Sequence, residues 1–282
     1  MSHLGHEICC SLFPAHLGYS PPVKPQKEEF LYLLLWASES IFCPTWRNLN
    51  DSFEAWACRH GLMRRLLELE RLKLLERAPN SLDGRVLRLT EQGRLHALGG
   101  RDPEQRWARP WDRRWRLVIF DVPLGKDSER RRLRRYLRSR HFGYLQLSVW
   151  LSPDALVAER AVFAGADIDV ETLVLMEAHP CGGESDAQIA AGAWDFRRIN
   201  DEYTRYLEVL KRRPTAALRG ELAARALQTW ARIEHEAWVA AVELDPLLPR
   251  CLWPKDYLGE QAWKARIAAL PHTRKQLTEF RN

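Results

Sequence analysis

A chain of 282 residues that is 46% hydrophobic carries enough apolar side chains for two or three cores, which excludes disorder over most of its length. Its six cysteines, Cys9, Cys10, Cys43, Cys58, Cys181 and Cys251, form no CxxC pair, which argues against a disulfide framework or zinc ribbon and fits a reducing cytoplasm. The net charge of +6 is concentrated: Arg101 to Arg140 holds 14 Lys plus Arg against 6 Asp plus Glu, a local +8 that suits nucleic acid or a phosphorylated ligand.

Residues 1–26 read as a poorly ordered leader that ends in the Pro21, Pro22 and Pro25 cluster. His3, His6, Cys9 and Cys10 are metal-ligand types, but no metal site is assigned there. The longest apolar run, FLYLLLWA from Phe30 to Ala37, falls far short of the roughly 20 residues of a membrane-spanning helix, so no membrane partner is expected.

Residues 27–100 read as a winged helix. Helices are expected over Lys27 to Phe42, ended by Pro44, over about Asn48 to Arg59, stopped by His60-Gly61, and over Leu62 to about Leu72. A strand (Leu74 to Arg77), a turn (Pro79 to Gly84) and a returning strand (Arg85 to Leu89) follow. The third helix is expected to bury Leu62, Met63, Leu66, Leu67 and Leu69. It would present Arg64, Arg65 and Arg71 to a major groove, with Arg59 and His60 near its start, Arg85 on the wing and Glu68 among the arginines. TEQGRLHAL (Thr90 to Leu98) is a capped short helix closing the module, and Gly99, Gly100 and Pro103 mark a linker.

Residues 101–180 read as a ferredoxin-like α+β domain. WRLVIFDVP is a strand ending at Asp121, Ser128 to Arg140 an arginine-crowded helix, Tyr144 to Ser152 a strand whose break can hide another, Asp154 to Ala164 a helix and Val170 to Glu177 a strand. After the CGGESD turn, residues 190–282 read as a helical domain, with helices over Trp194 to Arg212 and Ala217 to Leu244. A proline-punctuated segment then turns helical to the end.

WDRRWRLVIFDVP, LRRYLRSRHFGYLQLSVWLSP, RLTEQG and LDPLLPRCLWPKDYLGEQAW together resemble the PaaX-type transcriptional repressors of phenylacetic acid degradation. The resemblance implies an N-terminal winged helix, a central domain shaped like the small ferredoxin-like nuclease subunit of CRISPR spacer acquisition, and a helical C-terminal domain. It also implies a homodimer on a palindromic double-stranded operator, released by an aryl-acetyl-coenzyme A thioester. Such an effector would place its phosphates near Arg131, Arg134, Arg135 and Arg138 of the arginine helix. No cofactor is expected.

The alternative reading is a metal-dependent nuclease, because the resemblance puts Asp121 where the nuclease-like subunits carry a metal-binding aspartate. One carboxylate is a poor Mg²⁺ site, and no nucleophile triad, GxGxxG or complete P-loop accompanies it, so no catalytic residue is assigned. A third possibility is a scaffold that keeps the winged helix for protein contacts.

Overall fold

The computed structural model describes residues 63–77, 87–156, 159, 172–215 and 221–279. The two N-terminal helices, the leader, the hairpin turn and most of the second helix of the central domain lie outside the described residues.

Helix α1 (Met63–Arg71) leads into strand β1 (Leu75–Arg77), which pairs antiparallel with β2 (Leu87–Leu89) through Leu75↔Leu89, Glu76↔Arg88 and Arg77↔Leu87. Leu69, Leu74 and Leu75 are buried, but Leu67 is 62% exposed. Leu67 therefore corrects the expected apolar side: at 100° per residue it stands about 200° around the helix from Leu69, so one core cannot hold both.

Helix α2 (Glu91–Ala97) is bound tightly to this hairpin. The Thr90 hydroxyl donates to the Lys73 carbonyl at 2.6 Å and accepts from the Gly93 N–H at 3.0 Å, capping the helix while holding the turn at Lys73 (φ 57°). A Cβ on Gly93 would lie 2.0 Å from the Leu74 carbonyl oxygen. Glycine is required here because backbone meets backbone. Gly93→Ala is expected to destabilise the module by about 3 kcal/mol, in the upper range of overpacking effects. Faster amide exchange in β1, β2 and α2 checks this, and unchanged exchange would contradict it.

The linker expected at Gly99, Gly100 and Pro103 holds a short helix instead, α3 (Pro103–Ala108), N-capped by Asp102, which accepts from the Gln105 N–H at 3.1 Å. Strand β3 (Trp115–Asp121) then enters a four-stranded sheet with β4 (Gly143–Gln146), β5 (Val149–Ser152) and β6 (Thr172–Ala178). The order is β4-β5-β3-β6 and every described pair is antiparallel. The break suspected in Tyr144 to Ser152 is a two-residue reversal at Leu147 (φ 45°) and Ser148, which makes two strands of one run. With α4 (Asp127–Ser139) between β3 and β4, the chain follows the first half of a split β-α-β arrangement.

The sheet is covered on both faces. Val118, Phe120 and Trp150 pack with Leu133 and Leu137 of α4. Alternate residues Trp115, Leu117 and Leu151 point the other way, into a core shared with the C-terminal helices. Those helices are α5 (Asp186–Ala193), α6 (Phe196–Lys211), α7 (Glu221–Leu244) and α8 (Gly259–Glu279), with a 3₁₀ turn at Arg250–Leu252. Helix α5 falls where only a turn was expected. Its signal is the capping box of Ser185 and Gln188, in which each side chain bonds the other residue's backbone N–H.

Candidate nucleic-acid interface

The hairpin module places the sequence-derived DNA residues unevenly. Arg64, Arg65 and Arg71 all lie on α1, and Arg71 is exposed in its last turn. Glu68, on the same helix, is half-buried rather than fully displayed among them. Arg59, His60 and Arg85 fall outside the described residues, as do the positions of the Arg64 and Arg65 side chains.

The second basic element is α4. Its first turn carries Asp127 and Glu129, suited to the partial positive charge of a helix N-terminus, and six arginines follow within the helix. Leu133 and Leu137 anchor it to the sheet. Three of the arginines are engaged by the domain itself. Arg130 pairs with Asp127 at 2.7 Å and donates to the Val122 carbonyl at 2.8 Å. Arg134 donates to the Leu147 carbonyl at 3.2 Å, bracing the left-handed residue of the β4–β5 turn. Arg138 lies over the buried Trp150 ring, 5.8 Å from its centroid. Just beyond the helix, Arg140 reaches the buried Glu159 at 3.3 Å. Of the four expected effector residues, Arg134 and Arg138 thus have structural contacts, whereas Arg131 and Arg135 are exposed, with no ion pair among the described residues.

Asp121 closes β3 opposite Thr172. Its carboxylate accepts from the Val122 N–H at 2.9 Å, and the turn after it is closed by the Lys126 N–H on the Pro123 carbonyl at 3.2 Å. Among the described residues no group of three or more His, Cys, Asp and Glu side chains is placed to hold a metal. This geometry fits a turn-forming aspartate. Asp121→Asn is expected to change DNA affinity less than twofold, because an amide keeps the same acceptor. Loss of a Mg²⁺- or Mn²⁺-dependent cutting activity in that variant would contradict the expectation.

Sequence reasoning missed the seam that joins the hairpin module to the C-terminal helices. Trp238 Nε1 of α7 donates to the Leu98 carbonyl at 3.2 Å, and Gly99, at φ 84°, lies against Val239. Arg101 donates to the carbonyls of Val242 (3.1 Å), Asp245 and Pro246 (2.9 Å), capping the C-terminus of α7. Burial pulls its guanidinium down to about 10, opposed by Asp245, so it remains charged at neutral pH. The Asp245 carboxylate is fully buried and accepts from Tyr203 Oη at 2.5 Å, from Tyr257 Oη and from the Leu247 N–H at 2.8 Å; burial pushes it up while these donors pull it down. The signal was present as an arginine directly after Gly99-Gly100, but its partner lies 141 residues away.

A hairpin-bearing module, an antiparallel α+β domain and a helical domain in this order define a mixed α+β chain with a Cas2-like centre. Residues 108–190 match the family described as "PaaX protein central Cas2-like domain", and on that match the central domain is of the PaaX type. None of the curated proteins matches the chain. Among solved structures it is similar to "Uncharacterized protein Rv0674 from Mycobacterium tuberculosis", at 20% identity over 88% of this chain and 95% of that one, with a TM-score of 0.53. At that identity the likeness concerns the fold. Among the described residues no helix is long and apolar enough to cross a membrane.

Proposed function

We propose that the chain is a DNA-binding transcriptional regulator, working as a homodimeric repressor on a palindromic operator and released by a small acyl-coenzyme A-type effector. The observation that carries the reading is the PaaX-type central domain at residues 108–190, preceded by a helix and antiparallel hairpin with Arg64, Arg65 and Arg71 on the helix. A winged helix reads the major groove through such a helix and steadies itself on the backbone through such a hairpin. The seam from Leu98 to Arg101 supports a response to a ligand, because it gives the C-terminal helices a direct mechanical hold on the module that would touch DNA. The proposal contains no catalytic step.

Genomic footprinting of the full chain, with and without aryl-acetyl-coenzyme A thioesters, tests it. Protected sites with two half-sites about one helical turn apart, cleared by a thioester, are the expected result. Protection that no thioester changes would remove the effector from the proposal, and absence of protection would remove the DNA reading.

A further inference from the structure

We propose that the outer face of α4 is a second DNA-contact surface, which grips the phosphate backbone of duplex flanking the operator without reading its sequence. The inference rests on the DNA-binding reading above and adds a site to it. At 100° per residue, Arg131, Arg132, Arg135 and Arg138 fall within a stripe about 120° wide. From Arg131 to Arg138 that stripe runs about 10 Å along the axis. All four residues are exposed, and Leu133 and Leu137 hold the opposite side of the helix in the core.

The rest of the helix shows what an arginine does here when it serves the fold. Arg130 and Arg134 find oxygens of their own domain, and Arg140 finds a buried carboxylate. Arg131, Arg132 and Arg135 make no ion pair among the described residues. Like charges packed this closely repel one another, a cost that an external polyanion offsets. Guanidinium forks match phosphate oxygens two at a time.

Shape decides which anion fits. A site for a small ligand is concave and buries most of its guest, whereas this stripe is the convex outer side of a helix. A duplex offers one negative charge per about 1.7 Å of its axis, so a ridge can contact successive phosphates without enclosing anything. Arg138, steadied over Trp150 and still exposed, marks one end of the ridge.

The test uses the full chain and the operator it selects from random-sequence duplex, in one version trimmed to its edges and one extended by about 10 base pairs, one helical turn, on each side. Wild type is expected to bind the extended duplex at least tenfold more tightly. Arg131→Glu with Arg135→Glu should bind both versions equally and flatten the salt dependence on the extended one by about 2 in log–log slope. Arg131→Lys with Arg135→Lys should retain most of the preference, since charge rather than shape is read. A reversal variant that keeps the preference overturns the inference and leaves the DNA reading standing. If that variant keeps the preference but loses release by an acyl-coenzyme A thioester, the inference is likewise overturned and the ridge belongs to a small anion. Failure of wild type to retain any duplex would overturn both.

Discussion

The full chain carrying Arg64→Ala and Arg65→Ala together is expected to lose about 2–6 kcal/mol of operator affinity, at about 1–3 kcal/mol for each arginine that reaches a base edge. Both residues sit at the start of α1, the helix that precedes the hairpin. The N-terminal residues of a recognition helix are the ones that enter the groove. Titration of labelled operator at fixed salt measures the loss. The double variant should also bind unrelated duplex more weakly, but by less, because base contacts discriminate and phosphate contacts do not. Unchanged operator affinity would remove α1 from the groove.

The second large effect concerns stability. Glu234 and Arg266 are buried at 0% and 2% exposure, and they join α7 to α8 inside the C-terminal core. Arg266 Nε donates to Glu234 Oε1 at 3.1 Å, the Tyr206 hydroxyl donates to the same oxygen at 2.5 Å, and the guanidinium lies 4.7 Å from the centre of the Trp238 ring. Arg266→Leu would leave the carboxylate buried without its cation, a change that costs about 3–5 kcal/mol in buried pairs. Glu234→Gln combined with Arg266→Leu should recover part of that loss, since an amide oxygen still accepts from Tyr206 without demanding a counter-charge.

The loss should depend on pH. Burial pushes the Glu234 carboxyl up to about 7, with Arg266 opposing, so its folded-state value lies above the unfolded one. The folded chain then holds a proton that the unfolded chain releases. That contribution is fully present below the unfolded value and is lost as pH rises through about 7. Without Arg266 the folded value rises further, so the variant's deficit should be larger at about pH 8 than at about pH 5. Urea denaturation of wild type and variant at both pH values reads the difference directly. A deficit that shrinks with pH would contradict the assignment of a charged Glu234 to this pair.

What the sequence made legible was local. The apolar alternation of WRLVIFD and the leucines of the arginine helix set β3 and α4 nearly to the residue, because the core imposes its own period on the chain. The split at Leu147 was suspected without glycine or proline to mark it. Helix α5 was missed because DAQIAAGA has no apolar stripe, although its capping box could have been read. Leu67 was misplaced by grouping leucines without checking their angles. The seam at Arg101 and the pair of Glu234 and Arg266 could not be read, because each depends on residues brought together from distant helices and carries no spacing signature. For the candidate interface, sequence supplied the arginines. Structure separated those that brace the domain, such as Arg134, from those that stand free of it, such as Arg131 and Arg135.

The most direct measurement is selection of fragmented genomic duplex by the full chain, with and without Mg²⁺, followed by sequencing of what is retained. A DNA-binding regulator should enrich a few discrete sites with internal two-fold symmetry, intact whether or not the metal is present. Absence of any enriched site, or Mg²⁺-dependent cutting that disappears in Asp121→Asn, would contradict the regulator reading; the second result would make Asp121 the centre of a nuclease.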